Sequence, residues 1–160
     1  MLDAFPEHLP LVRRGVVRQG YISTRPVVRI RVTEWENGGT DYVLCFKNGG
    51  GLVRQEVELP LDKEQFEQLR ALLRGPLIRK DYAVYRLPDG HLLECSVVDA
   101  GTPTSFACAE IEFDTEQQAR AYPAPDCVGP DVTGKGYGMA RYWERTRTGL
   151  DESCQAVYDI

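Results

Sequence analysis

The sequence comprises 160 residues, of which 42% are hydrophobic and 27% charged, as expected of a folded soluble protein. A formal net charge of −5 argues against a DNA-coating protein or a general membrane-surface binder, so any site for a polyanion must be local. Five cysteines without a CxxC or CxxxC pair argue against a zinc cluster or a disulfide framework, and no run of about 18 apolar residues occurs. We therefore predict a single domain over residues 1–160, located in the reducing cytoplasm.

Seven runs alternate apolar and polar side chains with the period of a β-strand. Turn sequences that contain glycine, such as ENGG at 36–39 and LPDG at 87–90, separate several of these runs and indicate antiparallel hairpins. The predicted strands cover residues 15–23, 26–35, 41–47, 52–60, 77–87, 91–99 and 106–113.

Three segments carry helix signals. Residues 62–73 begin with Asp62 as a capping residue, repeat apolar side chains on one face, and are stopped by a Gly-Pro pair. Residues 115–122 open with Thr115 and end before a proline, which predicts a short helix after the last strand. Residues 136–146 show a weaker helical pattern.

The polar positions of most predicted strands carry charges of defined sign. In VVRIRV (27–32) the two arginines point to the same side, because alternate residues of a strand share a face. An open sheet whose charged face is solvated remains one interpretation. The near balance of acids and bases favours the other, a closed barrel that encloses the charges and turns its apolar faces outward under the helices. The candidate interior charges are Arg29, Arg31, Lys47, Arg54, Lys80, Glu56, Glu58, Glu94, Glu110 and Glu112.

A charged lumen of this kind would suit an anionic ligand neutralised by the bases and a divalent metal held by the acids. The cysteines are expected on the outer face of the sheet as small hydrophobic side chains, so no thiol chemistry is predicted.

The motifs occur in an order that resembles the CYTH superfamily, the triphosphate tunnel metalloenzymes, over roughly residues 16–142. The resemblance is carried by the arginine strand VVRIRV, the R-x-E-x-E of RQEVEL, the lysine strand IRKDYAVYRL with the GHLLE turn, and the late E-x-E of AEIEF. It implies an α+β fold: an antiparallel β-barrel, or tunnel, with a charged lumen and helices packed outside.

The resemblance also implies binding and metal-dependent hydrolysis of a small triphosphate, inorganic or organic, with Mg²⁺ or Mn²⁺ as cofactor. The expected partner is a triphosphate or polyphosphate small molecule, not DNA or a membrane, and a homodimer is left open. The implied phosphate-binding residues are Arg29, Arg31, Lys47, Arg54 and Lys80; the implied catalytic residues are Glu56, Glu58 and Lys80; the implied metal ligands are Glu110, Glu112 and Glu94, with Glu56 and Glu58 next.

The sequence departs from the family pattern at three places. No E-x-E-x-K precedes RQGYIS, either because that strand is missing or because the true start of the protein lies upstream. Tyr82 stands where a second base usually follows the lysine, and Ser96 stands where an aspartate is usual. Because the number of carboxylates sets much of the affinity for Mg²⁺, these changes weaken metal binding most. The alternative function is therefore a polyphosphate- or nucleotide-binding module that has lost the metal site and is not catalytic.

Overall fold

A seven-stranded antiparallel sheet forms the centre of the computed structural model, which describes residues 5–48, 55–133, 135 and 138–148. The strands lie in the order β4-β3-β2-β1-β5-β6-β7. All seven predicted strands are present, although residues 52–54 of the fourth prediction lie outside the described residues. Their bounds are β1 Leu11–Thr24, β2 Val27–Trp35, β3 Thr40–Asn48, β4 Gln55–Leu61, β5 Ile78–Arg86, β6 Leu92–Val98 and β7 Phe106–Glu110.

The helices follow the predicted caps. In α1 (Lys63–Arg70) the side chain of Asp62 accepts from the backbone of Gln65, whose own side chain accepts from the backbone N–H of Asp62. The same reciprocal pair, Thr115 with Gln118, starts α2 (Glu116–Ala121). The third prediction corresponds to α3 (Met139–Trp143) followed by one π-helical turn, Glu144–Thr148. In the described part of the chain no helix is long and apolar enough to cross a membrane.

The strand register places the charged positions on one face of the sheet. Residues that are partners across a ladder point to the same side. Arg29 is the partner of Tyr21 on one neighbour and of Cys45 on the other, and Lys47 is the partner of Glu56. The shared face carries Arg29, Arg31, Lys47, Glu56, Glu58, Lys80, Glu94 and Glu110.

This charged face is concave. Val17, Thr33 and Ser96 lie on this face away from α3, and each is only 5% exposed. A flat sheet would leave these side chains open to solvent, so the sheet curls around them. The described residues show no ladder between β4 and β7, so the antiparallel α+β fold is confirmed and the closed barrel stays a prediction.

The convex face buries the apolar side chains, as predicted. Beside α1 the cluster centres on Ile30, Val32 and Phe66, with Tyr42 and Leu44 of β3 packed against it. A second cluster covers the convex side of β5 and β6; its buried members are Ala83, Tyr85, Leu87, Leu93 and Cys95.

One end of the concave face is covered by α3. Tyr142 and Trp143 pack there against Tyr21, Ile78 and Val98. Hydrogen bonds fix the helix to the sheet: the Tyr142 hydroxyl donates to Asp99 Oδ2 at 2.7 Å, and Trp143 Nε1 donates to the Pro76 carbonyl at 3.0 Å. Trp35 and Tyr82 lie towards the opposite end of the face.

Truncating Phe66 to alanine is expected to destabilise the fold by about 3–5 kcal/mol, because a ring that is 2% exposed would leave a cavity between α1 and the sheet. Urea unfolding followed by circular dichroism measures the change. Phe46→Ala is the matched control, since this phenylalanine is 41% exposed on the same face; a loss of about 1 kcal/mol or less is expected there. Equal losses would contradict the assignment of Phe66 to the core.

Candidate functional site

Three bases and two acids of β2, β3 and β4 form an ion-pair network on the concave face. Arg29 Nη2 lies 3.5 Å from Glu56 Oε1 and 3.7 Å from Glu58 Oε1. Arg31 Nη2 lies 3.0 Å from Glu58 Oε1, and Lys47 Nζ lies 2.7 Å from Glu56 Oε2. Each glutamate therefore pairs with two cations. Because the network has three bases and two acids, it carries an excess of positive charge.

Arg29 is the most buried member of this network. Its side chain is 9% exposed, and its Nε has no hydrogen-bond partner among the described residues. Burial lowers the pKa of Arg29. The opposing effect of nearby groups is larger, so the pKa is raised overall; these groups are Tyr21, Cys45, Glu56 and Glu58. The guanidinium therefore stays charged and retains a free donor, which is the chemistry of an anion-binding group.

Cys45 belongs to the same network. Its thiol donates to Glu56 Oε1, with the sulfur 2.9 Å from the oxygen, and burial followed by this bond raises the pKa of Cys45 to about 11. Burial also acts to raise the pKa of Glu56, but hydrogen bonds from Cys45 and Lys47 outweigh it and lower the pKa. Glu56 is consequently a charged acceptor rather than a proton donor.

Lys80 occupies the middle of the concave face, as the ladder partner of Val17 and Val98. Burial lowers its pKa; Glu110 acts in the opposite direction, whereas Arg29 and Arg31 lower it further. Within the described ranges Lys80 has no carboxylate at salt-bridge distance, in contrast to the bases of the network. Lys80 thus shares the face with two guanidinium groups whose charges disfavour its own, and an anion bound among the three would relieve this repulsion.

Three other glutamates lie in or just beyond β6 and β7. Glu94 and Glu110 are ladder partners, and Glu112 follows two residues later. Burial raises the pKa of Glu112, and the charges of Glu94, Glu56 and Glu110 raise it further. None of the three forms an ion pair within the described residues. Such mutually repelling carboxylates are ligands of the kind that a hard divalent cation prefers.

The strand register thus places Arg29, Arg31, Lys47, Glu56, Glu58, Lys80, Glu94 and Glu110 on one face; Glu112 lies just beyond the end of β7, and Arg54 lies outside the described residues. Their individual roles stay predictions. The expectation that all cysteines lie on the outer face was wrong for Cys45 and Cys108, which the register places on the concave face. The alternation of β3 contained the signal, because Cys45 is two residues from Lys47.

Sequence reasoning also missed Gln19, an uncharged residue of the face. Gln19 is 1% exposed and donates through Nε2 to the Tyr21 hydroxyl at 3.2 Å. Burial raises the pKa of Tyr21 to about 12, against the influence of Arg29. Both side chains lie next to the arginine strand and fix the neighbourhood of the Arg29 guanidinium. Their alternation in β1 was visible, but a polar amide gives no charge pattern to follow.

No family model matches the sequence. An inorganic triphosphatase of Nitrosomonas europaea is 36% identical over 118 residues, which cover 73% of this chain and 76% of that protein. The chain belongs to the family of this triphosphatase. The CYTH-like family predicted from the motifs is thereby supported.

Solved structures agree with this family. The crystal structure of the inorganic triphosphatase NE1496 matches with a TM-score of 0.59 and 30% identity, over 88% of each chain. The PH1819 protein from Pyrococcus horikoshii OT3 matches with a TM-score of 0.52 over 71% of this chain and 72% of that one. At 17% identity the second likeness shows the fold alone.

Proposed function

We propose that this protein binds a small triphosphate on its concave face and hydrolyses it with Mg²⁺ or Mn²⁺. The observation that carries the proposal is the placement of Lys80, Arg29 and Arg31 on one face of the neighbouring strands β5, β1 and β2. Burial lowers the pKa of this lysine, and the two guanidinium groups lower it further. A ligand with several negative charges stabilises all three cations at once. The relative named an inorganic triphosphatase supports the same class of ligand.

Phosphate oxygens would take the places that carboxylates hold in the ion-pair network. Arg29, Arg31 and Lys47 would turn from Glu56 and Glu58 to the ligand, and Lys80 would join from β5 without giving up an ion pair. Guanidinium forks and ammonium groups are both suited to phosphoryl oxygens. Arg54 is proposed for the same role from the family pattern.

The metal ligands are proposed at Glu94, Glu110 and Glu112, although among the described residues only Cys45, Glu56 and Glu58 have ligand atoms that all lie within 4.8 Å of one another. The three proposed glutamates repel one another and have no cation of the protein as a partner in the described residues, so a divalent ion would stabilise them. A bound Mg²⁺ or Mn²⁺ supplies polarisation of the phosphoryl group and activation of water.

The other acids of the face fit a metal less well. Oxygen and sulfur atoms of Cys45, Glu56 and Glu58 lie within 4.8 Å of one another. However, Arg29 and Lys47 already neutralise this group and would repel a divalent cation. The role proposed for Glu56 and Glu58 is to hold the cationic side chains in place and to accept hydrogen bonds during the reaction.

We also propose that the sheet closes into a tunnel around the ligand. The curvature supports this, since it buries Val17, Thr33 and Ser96 in the middle of the concave face. A closed wall would exclude water and strengthen every charge–phosphate contact inside.

The second candidate function is a binding module without catalysis. It is favoured by Tyr82 and Ser96, which are ladder partners on the concave face and carry no charge where the family pattern has a base and an acid. Such a module would keep the cations that grip phosphate and lose part of the metal site. Its ligand would be polyphosphate or a nucleotide.

A phosphate-release panel separates the two functions. Tripolyphosphate, thiamine triphosphate and ATP are each incubated with the protein and with Mg²⁺ or Mn²⁺, and free phosphate is measured alongside calorimetric binding. Release that is abolished by EDTA is expected for the hydrolase, with one of the three substrates preferred. Tight binding without phosphate release would favour the binding module. If none of the three compounds is bound or hydrolysed, both proposed functions are refuted.

A further inference from the structure

Arg13 lies on the concave side of β1, towards the end of the sheet opposite α3. In the ladder with β5, Gly15 is the partner of Tyr82 and Val17 is the partner of Lys80, so Arg13 continues the row of Lys80 by two further positions. We propose that Arg13 is a further anion-binding residue, which engages the end of an oligophosphate farthest from α3 and so favours longer chains. This inference rests on the proposed function.

The Trp35 ring, which itself packs against Tyr82, holds the Arg13 guanidinium in this place. Its Cζ lies 4.6 Å from the centroid of the Trp35 ring, and that ring lies 6.0 Å from the ring of Tyr82. Gly15 separates the two rings on β1, and a Cβ there would stand 3.1 Å from Cε3 of Trp35. The missing side chain thus lets Trp35 lie against the strand. A cation–π contact orients the guanidinium while leaving its N–H donors for an anion.

Among the residues that the structure describes, Arg13 forms no ion pair, whereas Arg29, Arg31 and Lys47 each lie beside a glutamate. Binding of phosphate to those three requires exchange with a carboxylate. Arg13 can bind without such an exchange, so it adds attraction at the exposed end of the face.

Arg13 also compensates for the uncharged Tyr82. Gly15, the ladder partner of Tyr82, is two residues from Arg13 on the same side of β1. Positive charge therefore reaches the position of Tyr82 from the neighbouring strand. Arg13 is four residues from Val17, the partner of Lys80, which is about 13 Å along the strand. The Arg13 side chain extends across part of this distance. It can therefore contact the terminal phosphates of an oligophosphate whose other end lies near Lys80.

The test compares the affinities of the full chain and its variants for pyrophosphate, tripolyphosphate and tetrapolyphosphate by calorimetry at neutral pH. Arg13→Ala is expected to weaken tripolyphosphate and tetrapolyphosphate about tenfold, the loss of one charged hydrogen-bond donor, and pyrophosphate by less. Arg13→Lys should recover part of the loss. Arg79→Ala is the matched control, because this arginine lies on the convex side of β5 and pairs with Asp81; no change is expected.

A spectroscopic readout locates the effect. In a Trp143→Phe background Trp35 is the remaining tryptophan of the chain, and tripolyphosphate is expected to change its fluorescence by drawing Arg13 away. The additional Arg13→Ala change should abolish this response. Wild-type affinity in Arg13→Ala, or an equal loss in Arg79→Ala, would overturn the role of Arg13 while leaving the proposed function intact. Failure of the wild-type chain to bind any of the three phosphates would instead overturn the proposed function.

Discussion

Replacing Arg29 and Arg31 together by alanine is expected to lower the affinity for tripolyphosphate by at least about a hundredfold. Each arginine contributes charged hydrogen bonds of about 1.5–3 kcal/mol, and 1.4 kcal/mol corresponds to a factor of ten. The buried Arg29, whose Nε has no partner in the described residues, should account for the larger share. Calorimetric titration without metal measures the loss, because it isolates phosphate binding from hydrolysis.

The control for this prediction is Arg18→Ala. Arg18 also pairs with a glutamate of the adjacent strand, Glu34, but on the convex side, so its removal changes the net charge without touching the concave face. Melting curves must accompany both variants, since Glu56 and Glu58 lose partners when Arg29 is removed. Unchanged tripolyphosphate affinity in a folded double variant would contradict the phosphate-binding role of the arginine strand.

Alternation along the chain was enough to predict the strands and the side on which their charges lie. Each strand has a period of two, and an error of one residue would move every charge to the other face. Ile30 is fully buried against Phe66, so Arg29 and Arg31 on either side of it lie on the opposite, concave face. The capping residues Asp62 and Thr115 predicted the helix starts for an equally local reason.

The curvature of the sheet and the position of α3 could not be predicted in the same way. Both depend on contacts between residues far apart in sequence, such as Trp143 Nε1 donating to the Pro76 carbonyl. Arg13 was missed for a local reason, because the predicted first strand began at residue 15 and β1 begins at Leu11. The cation–π contact of Arg13 with Trp35 produces no recognisable pattern in the sequence, because the two residues are on different strands.

Changing both Glu110 and Glu112 to glutamine is expected to reduce Mg²⁺-dependent phosphate release by about two to three orders of magnitude. Removal of two carboxylates weakens the metal site, and a bound metal contributes several kcal/mol to stabilisation of the transition state. The same variant should bind tripolyphosphate alone as well as the wild type does, or more tightly, because Glu110 no longer opposes the ligand near Lys80. Phosphate release and metal-free calorimetry are therefore measured together.

The opposite directions of these two effects separate a metal role from general damage to the site. A misfolded or collapsed face would lose both release and binding, whereas loss of the metal ligands alone would spare binding. Glu64→Gln combined with Glu67→Gln serves as the matched double control, because both glutamates are exposed on α1, away from the concave face. Wild-type turnover in the Glu110/Glu112 variant would show that other carboxylates bind the metal. Glu56 and Glu58 could do so only after breaking their ion pairs with Arg29, Arg31 and Lys47.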